Sequence, residues 1–133
     1  MNAAIESVYT PEAPPAVGPY SQAIRAGGFV YTAGQLGIDA ETGDFAGTDV
    51  VSQTTQALRN LRAVLEAAGS DVRHVIKTTI FVTDLGLFGQ VNAAYAAFLD
   101  EEGVEHPPAR STVEVAALPL QGLVEIEMIA VIP

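Results

Sequence analysis

The stretch Val50–Ala68 most constrains what this chain can fold into. Its positions Val50, Thr54, Ala57, Leu58, Leu61, Val64, Leu65 and Ala68 recur at helical spacing. Thr48 or Asp49 can cap the first turn, and Gly69 stands where a left-handed stop belongs. A helix with one apolar stripe must bury it against another element. Strands are at hand. Val75–Val82 is rich in β-branched and aromatic residues, and Leu123–Val131 alternates, with Val124, Ile126, Met128, Ala130 and Ile132 facing one way and Glu125 and Glu127 the other. A second helix begins after Asp84, with Phe88, Val91, Tyr95 and Phe98 on one face and Gly103 at its end, although Gly86 and Gly89 weaken its first turns.

Pro11, Pro14, Pro15 and Pro19 make the first thirty residues extended and loop-rich, ending in the turn-like Gly18-Pro19. Ser21–Ala26 and Phe29–Gly34 read as short strands joined through Gly27-Gly28, a two-residue hairpin pattern. A turn follows at residues 41–44, and Ser111–Ala116 supplies another strand, with Val113 and Val115 on one side and Thr112 and Glu114 on the other. Strands, helix, strand, helix and two strands predict an α+β fold, with both helices laid on one face of a mixed sheet. No repeat or linker divides the chain, so residues 1–133 read as a single domain.

Composition excludes several classes. Apolar residues at 49% against charged residues at 17% leave no basis for disorder. With no cysteine there is no disulfide, thiolate zinc site or cysteine nucleophile. Sixteen acids against six bases give a net charge of −10, too little basic material for a nucleic-acid surface. The low charge fraction fits a surface partly buried between subunits. Met1–Ala16 lacks a base and a continuous apolar stretch, so it does not read as a signal peptide, and no apolar run is long enough to span a membrane. The expected location is cytoplasmic.

Motif searches for dinucleotide, phosphate-loop, nucleophile-elbow and zinc patterns fail. His74 and His106, the two histidines, have no metal-ligand partner at recognisable spacing. Arg110 follows Pro107-Pro108, which stiffen its approach. It either pairs with a surface carboxylate or offers a planar fork to a substrate carboxylate or phosphate. Glu125 and Glu127 either face solvent or, under a second subunit, become buried acids able to hold or deprotonate a water. Tyr20 is either a core aromatic or a pocket wall.

Taken together, the residues resemble the Rid family, the reactive-intermediate deaminases also called YjgF-type proteins. The resemblance runs from about Ala13 to Val131. It is carried by Gly18-Pro19-Tyr20-Ser21-Gln22-Ala23, Thr32-Ala33-Gly34-Gln35, Gln53 to Gly69, Val75 to Leu85, Phe88 with Val91-Asn92-Ala93-Ala94-Tyr95, Pro108-Ala109-Arg110-Ser111 and Val124 to Val131. It implies a chorismate-mutase-like α+β fold, a homotrimer with sites between subunits, and no cofactor or metal. It also implies hydrolysis of 2-imino acids such as 2-iminobutanoate and 2-iminopropanoate, and of their enamines, to 2-keto acids and ammonia. Arg110 then grips the substrate carboxylate, Glu125 attends the attacking water, and Tyr20, Gly34 and Asn92 complete the pocket. Thr112 stands where many members carry a cysteine, so thiol chemistry does not transfer. Two other readings share the fold: a non-catalytic trimeric carboxylate-binding or chaperone-like protein, and a hydrolase of another small molecule. Neither a nucleic-acid nor a membrane partner is expected.

Overall fold

In a computed structural model that describes residues 4–133, the apolar stripe becomes helix α1, Val50–Ala67. The Asp49 carboxylate accepts from the Ser52 N–H at 3.0 Å and so caps it. Gly69, at φ 87°, lets the Ser70 N–H reach back to the Leu65 carbonyl at 2.9 Å and closes it. Leu58, Leu61, Val64 and Leu65 are fully buried, each contributing roughly 1.5–3 kcal/mol. Leu61→Ala, which leaves a cavity as well, would cost about 2–5 kcal/mol.

The stripe rests on a seven-stranded mixed sheet. In chain order the strands are β1 (Ile5–Val8), β2 (Ala23–Ala26), β3 (Phe29–Thr32), β4 (Gln35–Leu36), β5 (Val75–Val82), β6 (Ala109–Glu114) and β7 (Val124–Val131). Spatially they run β1-β2-β3-β7-β5-β6, with β4 also paired to β7. The β5–β6 pair is parallel and the others are antiparallel. Helix α2 (Phe88–Glu101) packs beside α1. Both helices lie on one face of the sheet, as the element pattern predicts.

Gly27 and Gly28, at φ 59° and 83°, form the tight turn between β2 and β3, with Ala26 opposite Phe29. The turn at residues 41–44 is closed by the Gly43 N–H donating to Asp39 O at 2.8 Å. The extended, loop-rich N-terminal stretch includes a strand that the sequence did not mark, Ile5–Val8, paired antiparallel with β2. Its first residues, 1–3, lie outside the described residues. The strand expected at Phe29–Gly34 stops at Thr32, and Gln35–Leu36 then forms a separate short pairing with β7. The strand expected at Ser111–Ala116 begins at Ala109 and ends at Glu114. No helix is long and apolar enough to cross a membrane among the described residues.

Candidate active site

Alternation on β7 turns Val124, Ile126, Met128 and Ala130 inward, where all four are buried, and leaves Glu125 and Glu127 on the sheet face away from the helices. Glu125 lines a cleft of about 430 Å³ together with Tyr20, Gly34, Leu36 and Leu120. Gly34 is packed directly against it: a Cβ on Gly34 would lie 2.7 Å from Glu125 Cδ. Only glycine lets the carboxyl group lie on the backbone there. Burial first, and the neighbouring Glu127 second, push the Glu125 carboxyl above its ordinary 4.5. Tyr20 is an exposed wall of this cleft, not a core aromatic. A tight turn sets it, with the Tyr20 N–H donating to Gly18 O at 2.8 Å and its hydroxyl accepting from the Val17 N–H at 3.4 Å.

Three buried amide side chains hold the walls of this cleft. Gln22 donates to the carbonyls of Thr10, Ala13 and Pro14 and accepts from the Thr10 N–H at 2.7 Å, tying down the proline-rich loop. Asn60 donates to Leu36 O and Ile38 O at 3.1 and 2.8 Å. Gln53 bridges Gly47 O and the Leu123 N–H. Each satisfies backbone groups that the loops and the short β4 strand around the cleft leave unpaired in the sheet.

Arg110 belongs to a second cleft, of about 550 Å³, shared with Asn92, Tyr95, Pro107 and Pro108. Its guanidinium lies over two rings of α2, 5.5 Å from the Phe88 centroid and 5.2 Å from that of Tyr95. The Tyr95 hydroxyl donates to Thr78 Oγ1 on β5 at 2.9 Å, which fixes that ring. Burial outweighs the Thr78 bond and the Arg110 charge, raising the phenol above its ordinary 10.0. Among the described residues no carboxylate lies within ion-pair distance of Arg110, although Asp100 and Glu105 line the same cleft. The surface-pairing reading is therefore corrected. The cation is oriented by aromatic faces, and its fork stays available to an anion. Thr112, two residues on along β6, has a buried hydroxyl without a hydrogen-bond partner among the described residues.

Within one chain the two clefts are separate. Arg110 is in register with Thr78, and Thr78 with Met128; Thr78 and Met128 are buried beneath the helices. Glu125 is in register with Phe81 and lies on the opposite face. The structure thus gathers Tyr20, Gly34 and Glu125 in one place and Asn92 and Arg110 in another. His74 bonds Asp71 at 2.8 Å, away from both clefts, and His106 is exposed. Phe88, at the start of the predicted apolar face, is 40% exposed and lies against Arg110. Sequence reasoning missed the contributions of Phe88 and Tyr95 to the site. Their spacing marks an apolar helix face, and that pattern does not distinguish a core from a cleft wall.

A family described as endoribonuclease L-PSP matches residues 10–132. The 2-iminobutanoate/2-iminopropanoate deaminase of Salmonella typhimurium is 48% identical over 126 residues, 95% of this chain and 97% of that protein. The crystal structure of the Escherichia coli YjgF gene product superposes with a TM-score of 0.91 at 45% identity, over 95% of this chain and 98% of that one. Escherichia coli TdcF, solved with bound serine, also gives a TM-score of 0.91, at 41% identity over 95% and 98%.

Proposed function

The chain belongs to the endoribonuclease L-PSP family, the Rid or YjgF family, and from that premise we propose that it hydrolyses reactive 2-imino acids to 2-keto acids and ammonia. The observation that carries this reading is the pair of half-sites. Arg110 is a cation held by two aromatic faces and unpaired among the described residues, and Glu125 is a half-buried acid with a raised proton affinity. In the proposed assembly, a homotrimer, the Arg110 cleft of one copy closes against the Glu125 cleft of the next. The outer sheet face around Glu125 suits this, since it carries Phe29, Tyr31, Phe81 and Ile129 with only partial cover.

Each step follows from the residues. The Arg110 fork takes the carboxylate of the imino acid, which presents C2 to the other half-site. Glu125 takes a proton from water as the water oxygen bonds to C2 of the protonated imine, and the C=N pair moves to nitrogen, giving a carbinolamine with a neutral amine. Glu125 passes that proton to the nitrogen, the C–N bond breaks to release ammonia as an oxygen lone pair closes the C=O, and the hydroxyl proton goes to the Glu125 carboxylate and on to solvent. A carboxyl with a raised pKa is a better base and can return its proton to the departing nitrogen. Burial and Glu127 supply that tuning. Serine bound to TdcF, a 2-amino acid on the same fold, is consistent with a carboxylate anchor. A ribonuclease role, which the family's description suggests, has less support from a chain of net charge −10.

The test couples threonine dehydratase and threonine to the protein with semicarbazide present to trap unhydrolysed imine. The expected result is faster release of free 2-ketobutyrate, abolished by Arg110→Ala. No acceleration with any amino-acid precursor would refute deamination and favour a carboxylate-binding protein.

A further inference from the structure

The cleft around Glu125 carries more apolar lining than a small carboxylate requires: Val17, Leu36, Ile38, Pro119 and Leu120 all face its 430 Å³. That volume lies in the range that encloses ligands far larger than a three-carbon acid. Leu120 is the unusual member. It is 71% exposed, so the fold gains little from a leucine there. Its backbone stands at φ 56°, ψ 23°, the left-handed region that a Cβ disfavours, and Gln121 follows at φ 62°. The turn is tied at its end, where the Gly122 N–H donates to Pro119 O at 3.1 Å and the Leu123 N–H donates to buried Gln53 at 2.9 Å. Glycine at position 120 would relax the backbone and forfeit no core contact. A strained backbone imposed on an exposed leucine at a cleft points to a role in that cleft.

We propose that Leu120 is a specificity-determining residue, an apolar wall that selects 2-imino acids with branched or longer apolar side chains over those carrying a methyl group. The inference rests on the deamination reading. Arg110 fixes the carboxylate end of every substrate equally, so discrimination must come from the side chain. The larger side chains are those with carbon to bury against the apolar lining that Leu120 shares, and each buried methylene strengthens binding.

The experiment uses the full chain in its native assembly. Imines are generated by an L-amino-acid oxidase from leucine, methionine or alanine, and kcat/KM is read from the suppression of semicarbazone formation. The expected result is a preference of roughly tenfold or more for the leucine-derived over the alanine-derived imine, from two to three extra buried carbons. Leu120→Gly should bring that ratio towards unity without lowering Tm, and Leu120→Met, which keeps an apolar wall, should retain it. An unaltered ratio in Leu120→Gly, or no preference in the native protein, would overturn the proposal. Failure of the native protein to hydrolyse any of the imines would instead overturn the deamination reading on which it rests.

Discussion

Two inactive variants should restore one another when their subunits are mixed. Arg110 and Glu125 lie on opposite faces of one sheet, so under the proposed mechanism a working site takes its arginine from one copy and its glutamate from the next. An Arg110→Ala subunit keeps a sound Glu125 half-site, and a Glu125→Gln subunit keeps a sound Arg110 half-site. In a closed ring assembled at random from equal amounts, each interface has about a one-in-four chance of pairing the two sound halves. The mixture should therefore recover roughly a quarter of native turnover, whereas either variant alone stays near zero. The assay is imine hydrolysis after co-refolding or subunit exchange, with an unmixed blend of the two preassembled variants as the control. Turnover no higher than the blend, despite proven mixed oligomers, would refute the shared site.

Three further outcomes follow from the same geometry. Gly34→Ala should cost about 100-fold in kcat/KM, because a Cβ placed 2.7 Å from Glu125 Cδ must push the carboxyl away by roughly 1 Å to reach normal contact. In a Glu125→Gln background it should cost almost nothing more, and an equal loss in both backgrounds would rule out action through Glu125. Thr112→Val should leave stability unchanged or raise Tm, since it removes a buried hydroxyl that has no partner among the described residues. A clear drop in Tm would mean that the hydroxyl is satisfied in the assembled protein. Burial favours the neutral form of Asp71, but its bonds to His74 and Arg73 outweigh this and hold it below the ordinary 3.8. Its stabilising contribution is present above 3.8 and lost as pH falls through the folded value. Asp71→Asn should accordingly melt lower at neutral pH, with the gap closing in acid; a gap independent of pH would remove the ionic origin.

Elements whose side chains carry a period were legible in the sequence. Helix α1 spans 50–67 against a stripe read to Ala68, and β5 spans Val75–Val82 as expected, because each buries one repeating face. Strand β1 left no such trace. Ile5, Glu6 and Ser7 are exposed, so the strand is defined by backbone pairing to β2 and not by what it buries. The same holds for the roles of Gln22, Gln53 and Asn60. Gln53 and Asn60 fall on the buried face of α1, but a polar residue type in an apolar stripe does not reveal which distant backbone groups it satisfies, and these three position the cleft walls. Phe88 is the opposite case. It fits the helical period and yet lies open beside Arg110, because a residue at the end of an apolar stripe can overhang the core.

Arg110 and Glu125 themselves were readable as residue types, but their relation was not, and the reason is parity. On β7 the even-numbered residues turn towards the helices and the odd-numbered ones away, which the local alternation already gives. Which β7 residues share a face with Arg110 depends on two long-range registers, β6 on β5 and β5 on β7. A slip of one residue in either would bring Arg110 to the face of Glu125 and Glu127, where one chain could pair them and neutralise the cation. The observed registers do the reverse. They keep the fork away from Glu125 and Glu127; among the described residues no carboxylate pairs with Arg110 and no cation acts on Glu125, so each half-site is electrostatically incomplete. An imino acid with a carboxylate at one end and an electrophilic carbon beside it needs those two functions close together. On this sheet a second copy of the chain can supply the one that is missing.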